Sequence, residues 1–260
     1  MSYSFHPTSL IEEGAQIEEG VKIGPYTIIG KNVKIGKNTE IGAFCVIEGF
    51  TQIGANNKIF SHAVIGSDPQ DLKYKGERSF VKIGNGNLIR EFVTINPGTE
   101  KDSVTLIGDR NLIMAYSHIA HNCKIGNNCI LANCATLAGF VEIEDFAVIG
   151  GMVAIHQFCR VGKYSIIGGC SKVVQDIPPY SLCDGHPAEV KGLNLVGLKR
   201  RGFSKETINI LNKAFKILFF SNLPFSSGFE KIKQEKLLIP EVEVLLEFIK
   251  SSKRGVCRPK

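Results

Sequence analysis

The sequence has no apolar run that approaches the roughly 20 residues of a membrane-spanning helix. Nothing near Met1 resembles a signal peptide. It also has no CxxC pair, although it contains 8 cysteines. These absences exclude a helical membrane protein and argue against disulfides or cysteine metal ligands. We therefore expect a cytoplasmic protein whose cysteines are reduced.

What the sequence does have is isoleucine at every sixth residue from Ile11 to Ile65. Six is the period of neither a helix nor a simple strand. The residue two positions before each isoleucine is small or β-branched, with Asn57 as the exception. This pattern predicts one short strand and one turn per six residues, with two inward-facing positions per strand. Three such sides would close a triangular coil of 18 residues.

The same frame returns beyond residue 80 and continues to about residue 178. Its later inward positions are Ile83, Ile89, Ile95, Ile107, Ile113, Ile119, Ile125, Leu131, Leu137, Ile143, Ile149, Ile155, Val161, Ile167 and Val173. We predict a parallel β-helix over residues 1–185, with two polar loops, 68–80 and 98–104, ejected from it. Four cysteines occupy the small inward site and are predicted to lie in the core: Cys45, Cys123, Cys129 and Cys159.

The hexads stop after Pro178-Pro179, and helical signals begin. Ser204 is a candidate N-cap for a helix over 205–220, and Pro240 opens a segment that ends near Lys250. Residues 186–260 contain 15 lysines and arginines against 7 aspartates and glutamates, a net charge of +8. We predict a basic α-helical domain here. Its charge suits an acidic partner or a phosphate-bearing ligand, and equally a solvated helical face.

The 18-residue coil places His121, Gly139 and Gln157 on one edge of the prism, on successive coils. His118 lies on the strand that leads into this corner, and the ring of His121 is predicted to point outward. An outward histidine beside a glycine with an accessible N–H suits a general base next to an oxyanion site. The alternative is an ordinary surface histidine.

Two other chemistries have less support in the sequence. A zinc site would need a third ligand beside His118 and His121, and His156 falls one residue off their edge. Nucleophilic catalysis would fall to the outward Cys134 and Cys170, and neither has a neighbouring base. We therefore expect no metal and no covalent intermediate.

Eight strings distributed over both predicted domains closely resemble the UDP-N-acetylglucosamine 3-O-acyltransferase family of lipid A biosynthesis. They are PQDLKY (69–74), HIAHNC (118–123), ILAN (130–133), TLAG (136–139), IGGM (149–152), HQFC (156–159), QDIPPY (175–180) and GLKRRGFS (197–204). The resemblance implies a left-handed β-helix in a homotrimeric cytoplasmic enzyme, with the site between neighbouring prisms.

The activity implied by the resemblance is transfer of a 3-hydroxyacyl chain from acyl carrier protein to the 3-hydroxyl of UDP-N-acetylglucosamine. The donor is carried on the carrier's phosphopantetheine, and no other cofactor or nucleic acid is expected. By the motif match His121 is the general base and Gly139 the oxyanion donor. The match further implies substrate contacts at Asp71, Lys73, His118, His156 and Gln157, residues near the nucleotide or carrier at Asn194, Arg200 and Arg201, and a limit to the acyl chain at Gly169.

Three residues depart from the family pattern. Asn122 stands where many relatives carry aspartate, Phe140 where histidine is usual, and Val196 where some members have an acidic residue. The first predicts that the imidazole lacks an orienting carboxylate at this position, and the others affect sugar and nucleotide contacts. The alternatives are N-acyl transfer to a 3-amino UDP-sugar, a sister hexapeptide acyltransferase with an extra N-terminal domain, and a non-enzymatic β-helical scaffold.

Overall fold

The computed structural model describes residues 4–259, which form a parallel β-helix followed by four α-helices. The strands are β1 (Ser4–Phe5), β2 (Leu10–Ile11), β3 (Gln16–Ile17), β4 (Lys22–Ile23), β5 (Ile28–Ile29), β6 (Lys34–Ile35), β7 (Glu40–Ile41), β8 (Val46–Ile47), β9 (Phe50–Ile53), β10 (Lys58–Ile59), β11 (Val64–Ile65), β12 (Phe80–Ile83), β13 (Leu88–Ile89), β14 (Thr94–Ile95), β15 (Val104–Ile107), β16 (Leu112–Ile113), β17 (His118–Ile119), β18 (Lys124–Ile125), β19 (Ile130–Leu131), β20 (Thr136–Leu137), β21 (Glu142–Ile143), β22 (Val148–Ile149), β23 (Ala154–Ile155), β24 (Arg160–Val161), β25 (Ile166–Ile167), β26 (Lys172–Val173), β27 (Ser181–Asp184) and β28 (Glu189–Leu193). The helices are α1 (Leu195–Arg200), α2 (Lys205–Phe219), α3 (Phe225–Gln234) and α4 (Pro240–Ser251).

Each strand pairs with the strand three places later in the chain. This pairing produces three parallel sheets, one on each side of a triangular prism. Face A contains β1, β4, β7, β10, β13, β16, β19, β22 and β25, and ends in the antiparallel hairpin β27–β28. Face B contains β2, β5, β8, β11, β14, β17, β20, β23 and β26, and face C contains β3, β6, β9, β12, β15, β18, β21 and β24. We name the corners AB, BC and CA, each for the face that the chain leaves and the face that it enters.

Strands on neighbouring coils pair in register, so the inward positions form continuous columns. Ile29 pairs with Ile47, and Ile119 pairs with Leu137. The isoleucine frame predicted from the sequence is buried from Ile23 onward, and so are the four inward cysteines. Burial raises the pKa of the Cys123 thiol to about 12, which leaves it protonated and unreactive near neutral pH.

Asn57, the exception to the small inward residue, begins a ladder of asparagines inside the prism. Its side-chain amide donates to the carbonyls of Gly54 and Gly84, at 2.9 Å each. Its Oδ1 accepts the backbone N–H of Asn87 at 2.8 Å, and Asn87 Oδ1 accepts the N–H of Asn111 at 2.9 Å. The ladder satisfies backbone groups at corner CA that isoleucine or valine would leave unpaired.

Both ejected loops leave the prism at corner BC. They occupy residues 66–79 and 96–103, since Phe80 and Val104, which were assigned to the loops from the sequence, begin strands β12 and β15. Corner BC is also the corner that His121 occupies, two coils after the first loop and one coil after the second. The loops are therefore placed to cover this histidine.

The outward positions differ between the faces. Face A is apolar on its later coils, with Leu88, Leu112, Ile130, Val148, Ile166 and Leu182. Face B is apolar on its first coils, with Leu10, Ile28, Val46 and Val64. Face C is mainly polar, with Gln16, Lys34, Gln52, Lys82, Lys124, Glu142 and Arg160 beside Leu106. Two of the three faces thus expose apolar columns that suit contact with another protein surface.

An aromatic ladder follows corner AB, between the two apolar faces. Tyr26, Phe44, His62, Phe92 and Tyr116 stack in sequence, with ring centroids 4.7–5.1 Å apart. Each adopts a positive φ, between 57° and 65°. The ladder remains exposed, with 59 % of Tyr116 accessible. Corner AB is therefore a ridge of stacked rings that nothing within residues 4–259 covers.

The end of the prism is closed by the C-terminal part of the chain. Residue 185, where the sequence analysis divides the chain, lies in the turn of the β27–β28 hairpin. Ser204 caps α2, accepting the N–H of Thr207 at 3.0 Å, and Pro240 opens α4, both as predicted. After α4 the backbone of Gly255 and Cys257 pairs with Asp176, on the last coil. None of the helices within residues 4–259 is long and apolar enough to cross a lipid bilayer.

Candidate active site

His121 lies in the turn after β17, at corner BC, where the chain leaves face B. Its side chain is 15 % exposed, although the sequence predicted an outward ring. The ring does leave the core, but the first ejected loop covers it. Asp71 of that loop places Oδ2 3.8 Å from His121 Nε2. The imidazole therefore sits in a partly desolvated cleft between the prism and the loop.

The hydrogen bonds of Asn122 determine which nitrogen of His121 carries the proton. Asn122 Oδ1 accepts the backbone N–H of Thr99 at 3.1 Å, and a backbone N–H can only donate. The amide oxygen, not the nitrogen, must therefore face this position. The same oxygen lies 2.9 Å from His121 Nδ1, which must then be the protonated nitrogen. Nε2 is left with a free lone pair, directed toward Asp71.

Asn122 therefore orients the imidazole of His121 through its amide oxygen. The sequence predicted that no carboxylate would orient the ring at this position, and the amide takes that role instead. It is buried, with 9 % of its surface exposed, and its oxygen also lies 3.1 Å from the hydroxyl of Thr99. Thr99 belongs to the second ejected loop and was not predicted as a site residue. Its contact depends on how that loop folds back, for which the hexad pattern offers no signal.

His118 lies one strand residue before this turn and is held in the neutral form. Its Nδ1 is 2.7 Å from Thr94 Oγ1, on the preceding coil. Burial lowers the pKa of His118, and the nearby His121 lowers it further. A neutral imidazole beside the base can donate or accept a hydrogen bond without adding a charge to the cleft.

Gly139 lies directly beneath the ring of His121, on the next coil. A Cβ at this position would collide with the imidazole, 2.5 Å from Nε2, so the ring can adopt its place only over glycine. At the equivalent position of corner CA, the N–H of Asn127 is bound by the Asp145 carboxylate at 2.7 Å. Within residues 4–259 the N–H of Gly139 has no such partner, and it remains available to a ligand.

Beyond Gly139 the corner continues as a pair of stacked phenylalanines. Phe140, at the position where histidine is usual, meets the His121 ring edge-on, with centroids 5.3 Å apart. Phe158 stacks on Phe140 at 4.9 Å. His156 and Gln157 lie on the same coil as Phe158 and are exposed. The departure at 140 therefore replaces a polar contact with an aromatic wall beside the imidazole.

The remaining predicted site residues lie elsewhere on this chain. Lys73 is exposed on the first loop, where its backbone N–H donates to Asp71 Oδ1 at 2.9 Å. Asn194 caps α1 and binds the carbonyl of Tyr164 at corner CA. Arg201 lies over the ring of Phe146 at the same corner, at 4.7 Å.

Arg200 is the exposed neighbour of Arg201 in α1. Gly169 lies at corner AB, where an added Cβ would meet only the Gly151 carbonyl, at 3.3 Å. One copy of the chain therefore divides its predicted site residues among all three corners. Among residues 4–259, no three His, Cys, Asp or Glu side chains are arranged to hold a metal ion.

Comparison with known families agrees with both parts of the fold. Residues 14–49, 32–66 and 105–139 match the "Bacterial transferase hexapeptide (six repeats)" model. Residues 176–257 match "Udp N-acetylglucosamine O-acyltransferase; Domain 2". These matches confirm the predicted hexapeptide β-helix and assign the C-terminal part to the same type of enzyme.

Individual relatives are similar over nearly the whole chain. A protein of Burkholderia orbicola named acyl-[acyl-carrier-protein]–UDP-N-acetylglucosamine O-acyltransferase is 49% identical over 97% of this chain and 98% of its own. A protein of the same name from Thermodesulfovibrio yellowstonii is 58% identical over 82% of this chain and 83% of its own. The crystal structure of the Francisella novicida UDP-N-acetylglucosamine acyltransferase superposes with a TM-score of 0.94 at 41% identity, covering 98% of this chain and 94% of that one. Likeness at this level confirms the left-handed winding.

The hydrogen bonds of Asn122 predict the tautomer of His121. Nuclear magnetic resonance of protein with ¹⁵N-labelled histidine should show His121 protonated on Nδ1 at neutral pH, because Asn122 Oδ1 can only accept. Asn122→Asp should preserve that tautomer, and Asn122→Leu should lose it. Thr94→Val, which alters only the partner of His118, is the matched control. A wild-type His121 protonated on Nε2 would contradict the assignment.

Proposed function

Because the chain belongs to the UDP-N-acetylglucosamine O-acyltransferase family, we propose that it transfers a 3-hydroxyacyl chain from acyl carrier protein to the 3-hydroxyl of UDP-N-acetylglucosamine, the first step of lipid A biosynthesis. The proposed acyl donor is an intracellular carrier, so the reaction takes place in the cytoplasm. The observation that supports this most directly is the pairing at corner BC of His121, whose Nε2 lone pair is free, with the unpartnered N–H of Gly139.

His121 acts as the general base of the transfer. A sugar hydroxyl is a poor nucleophile until a base removes its proton during attack, and a neutral imidazole is suited to this near pH 7. Nε2 takes the proton from the 3-hydroxyl while the sugar oxygen forms a bond to the thioester carbon. The C–S bond then breaks, and the departing sulfur receives the proton from the imidazolium. The products are the O-acyl sugar and the free carrier thiol.

Gly139 stabilises the negative charge that the carbonyl oxygen acquires during the attack. Its N–H is beside the base, so it can meet the oxyanion without rearrangement. The thioester is already an activated acyl group, so the transfer requires neither a metal ion nor a covalent enzyme intermediate. Asp71 and His118, both beside the base, bind the hydroxyl groups of the acceptor. Lys73 from the first loop and His156 and Gln157, two coils after His121, make further contacts with the substrate.

A homotrimer accounts for the distribution of the site among three corners. Faces A and B carry the apolar columns and meet at the aromatic ridge of corner AB, while face C is mainly polar. Three copies that pack face A on the face B of a neighbour bury both columns and place corner AB near the three-fold axis. The corner BC of each copy then lies beside the corner CA of its neighbour.

This arrangement completes the site between two copies. Corner CA carries Asn194, Arg200 and Arg201, so the neighbour contributes these residues to the His121 of the first copy. The two guanidinium groups suit the UDP diphosphate or the acidic carrier protein. The acyl chain enters the interface from corner BC and runs between faces toward Gly169 at corner AB.

Replacing His121 tests the general base. His121→Ala should lower kcat by about 10²- to 10⁴-fold in an assay of purified protein with 3-hydroxyacyl carrier protein and UDP-N-acetylglucosamine. His118→Ala should only weaken transfer and should keep the pH profile of the wild-type protein. The pKa of His118 is lowered by burial and by the nearby His121, which favours its neutral form. Near wild-type turnover of His121→Ala with an unchanged pH profile would rule out this base.

Charge reversal at corner CA tests the role of the basic helices. Arg200→Glu with Arg201→Glu should raise KM for the acyl carrier substrate by roughly two- to fivefold per charge, and the effect should shrink as salt screens the encounter. Lys34→Glu with Lys37→Glu, an equal charge change at two exposed lysines of the N-terminal coils, is the control. If KM responds neither to salt nor to the reversals, Arg200 and Arg201 do not recruit the carrier and are only solvated surface residues.

The position of Gly169 predicts the length of the acyl chain. It follows His121 by 48 residues, or about 2.7 coils, which is roughly 13 Å along the prism. At about 1.25 Å per carbon, roughly ten carbons span this distance, and the offset from corner BC to AB adds a few. We therefore expect 3-hydroxymyristoyl as the preferred chain.

Gly169→Met should shift the preference to a chain shorter by a few carbons, with the rate on the shorter donor retained. Gly169→Ala should have a smaller effect, since the Cβ alone meets only the Gly151 carbonyl. Competition among carrier-bound donors of about ten to sixteen carbons, with mass detection of products, measures the preference. An unchanged preference in Gly169→Met would show that the groove ends elsewhere. The same assay with a 3-amino acceptor distinguishes ester from amide formation.

A further inference from the structure

Two buried cysteines face each other where the end of the chain returns to the prism. Cys183 lies in β27, the strand that pairs with β25 at the end of face A, and is buried. Cys257 follows 74 residues later, after α4, and is also buried. Their sulfur atoms are 3.7 Å apart, and both thiols are free. A covalent bond between them would join the end of the chain to the β-helix.

The cysteines inside the prism are arranged differently. The thiols of Cys45, Cys123 and Cys129 donate to backbone carbonyls 15 residues later in the chain, at 3.2 Å each. Each of these thiols lies between hydrogen-bonded coils, so an oxidant reaches it only if the coils separate. The thiols of Cys183 and Cys257 instead contact each other.

The segment that carries Cys257 is short and lies at the end of the chain. It is attached to the last coil through Asp176, whose N–H donates to the Gly255 carbonyl at 2.9 Å and whose carbonyl accepts the Cys257 N–H at 3.0 Å. The Ser252 hydroxyl also donates to Asp176 Oδ2, at 2.7 Å. Such a terminal segment opens locally at a lower free-energy cost than the unfolding of the prism. Opening exposes the Cys257 thiol and the side of Cys183 that faces it.

The reactivity of the pair depends on this opening. In the closed state, the contact with Cys183 and burial raise the pKa of the Cys257 thiol, which keeps it protonated and a poor nucleophile. In the open state the thiol is in water, where an ordinary cysteine has a pKa of about 8.5. A few per cent of it is then thiolate near pH 7, so it can undergo exchange with a disulfide.

We propose that Cys183 and Cys257 are a site of oxidative modification, at which a low-molecular-weight disulfide such as oxidised glutathione converts the pair into an internal disulfide. The Cys257 thiolate attacks one sulfur of the oxidant, which forms a mixed disulfide and releases one glutathione thiol. As the segment returns, the Cys183 thiolate attacks Cys257 Sγ, which forms the internal bond and releases the second glutathione thiol. Two protein sulfurs are oxidised, and their two hydrogens end on the two glutathione thiols.

The geometry favours the internal bond over the mixed disulfide. Two thiols held in contact react in a unimolecular step, and the closed segment leaves no room for glutathione on Cys257, which is only 3 % exposed. The sulfurs need to approach by about 1.7 Å, since an S–S bond is about 2.0 Å long. The bond closes a loop of 74 residues that includes all four described helices, so it restricts the unfolded chain. The oxidised protein is therefore the more stable form.

A reducing compartment keeps the pair as two thiols, and the bond forms only when a disulfide oxidant accumulates. Neither cysteine is among the candidate site residues. The modification therefore does not depend on the proposed function.

Oxidation of the full-length protein tests the proposal. The starting protein carries Cys134→Ser with Cys170→Ser, which removes the two exposed thiols. After incubation with oxidised glutathione at neutral pH, mass spectrometry should find the loss of two hydrogens, and a digest without reductant should contain peptides joined through Cys183 and Cys257. The Tm should rise by about 5 °C or more and return to its starting value after reduction with a dithiol.

Cys183→Ser and Cys257→Ser in the same background are the matched controls. Cys183→Ser should accumulate the mixed disulfide on Cys257, because the second thiol is missing, and neither control should gain thermal stability on oxidation. The protein with both cysteines is measured directly, so the test does not depend on how well the controls fold.

Three results would overturn the proposal. The first is a protein that remains without the bond in excess oxidant. The second is a reaction that stops at the mixed disulfide although Cys183 is present. The third is a bond that leaves the Tm unchanged or lowers it, because the contact between Cys183 and Cys257 would then not be the arrangement that the bond requires.

Discussion

The hydrogen bonds between successive coils determine where every other part of this molecule lies. The backbone N–H of His118 donates to Ala135, that of Thr136 to Val153, and that of Ala154 to Ser171, so each coil fixes the next at the same angle about the prism axis. Burial of the isoleucine columns sets the register of the stack, because a slip of one residue would turn every inward side chain outward. The hydrogen bonds between coils hold that register, so residues 18 apart in the sequence become neighbours along the prism axis.

The candidate site residues lie mainly at the corners of the prism, because side chains there belong neither to the core nor to the sheets. Inward positions are occupied by packing in the core, and outward strand positions form the three flat faces of the prism. At corner BC, glycine at 139 gives the room for an imidazole that any other residue would displace. The two loops emerge at the same corner, so they enclose the histidine with Asp71 on one side and Thr99 behind it. A rigid scaffold thus presents a site built largely from irregular backbone.

Much of this architecture could be predicted from the sequence, because a six-residue period specifies inside and outside without reference to distant contacts. The alignment of His121 with Gly139 followed from the same arithmetic. The contact of Thr99 with Asn122 could not be predicted in this way. Thr99 belongs to a loop outside the hexad repeat, so the repeat does not indicate where the loop folds back onto the prism. The sequence also did not predict that Asn122 orients His121. Asparagine has no charge, but its amide oxygen can accept a hydrogen bond from the imidazole as a carboxylate would.

The asparagine ladder indicates where a β-helix of this kind can accept insertions during evolution. Asn57 and Asn87 are 30 residues apart and Asn87 and Asn111 are 24 apart, yet they are joined as directly as Asn111 and Cys129, which are 18 apart. The excess length is absorbed entirely in the loops at corner BC, and the pitch of the coil is unaffected. Insertions at corner BC therefore leave the geometry of the β-helix unchanged. The walls of the cleft can be lengthened, shortened or exchanged while the histidine beneath them keeps its place.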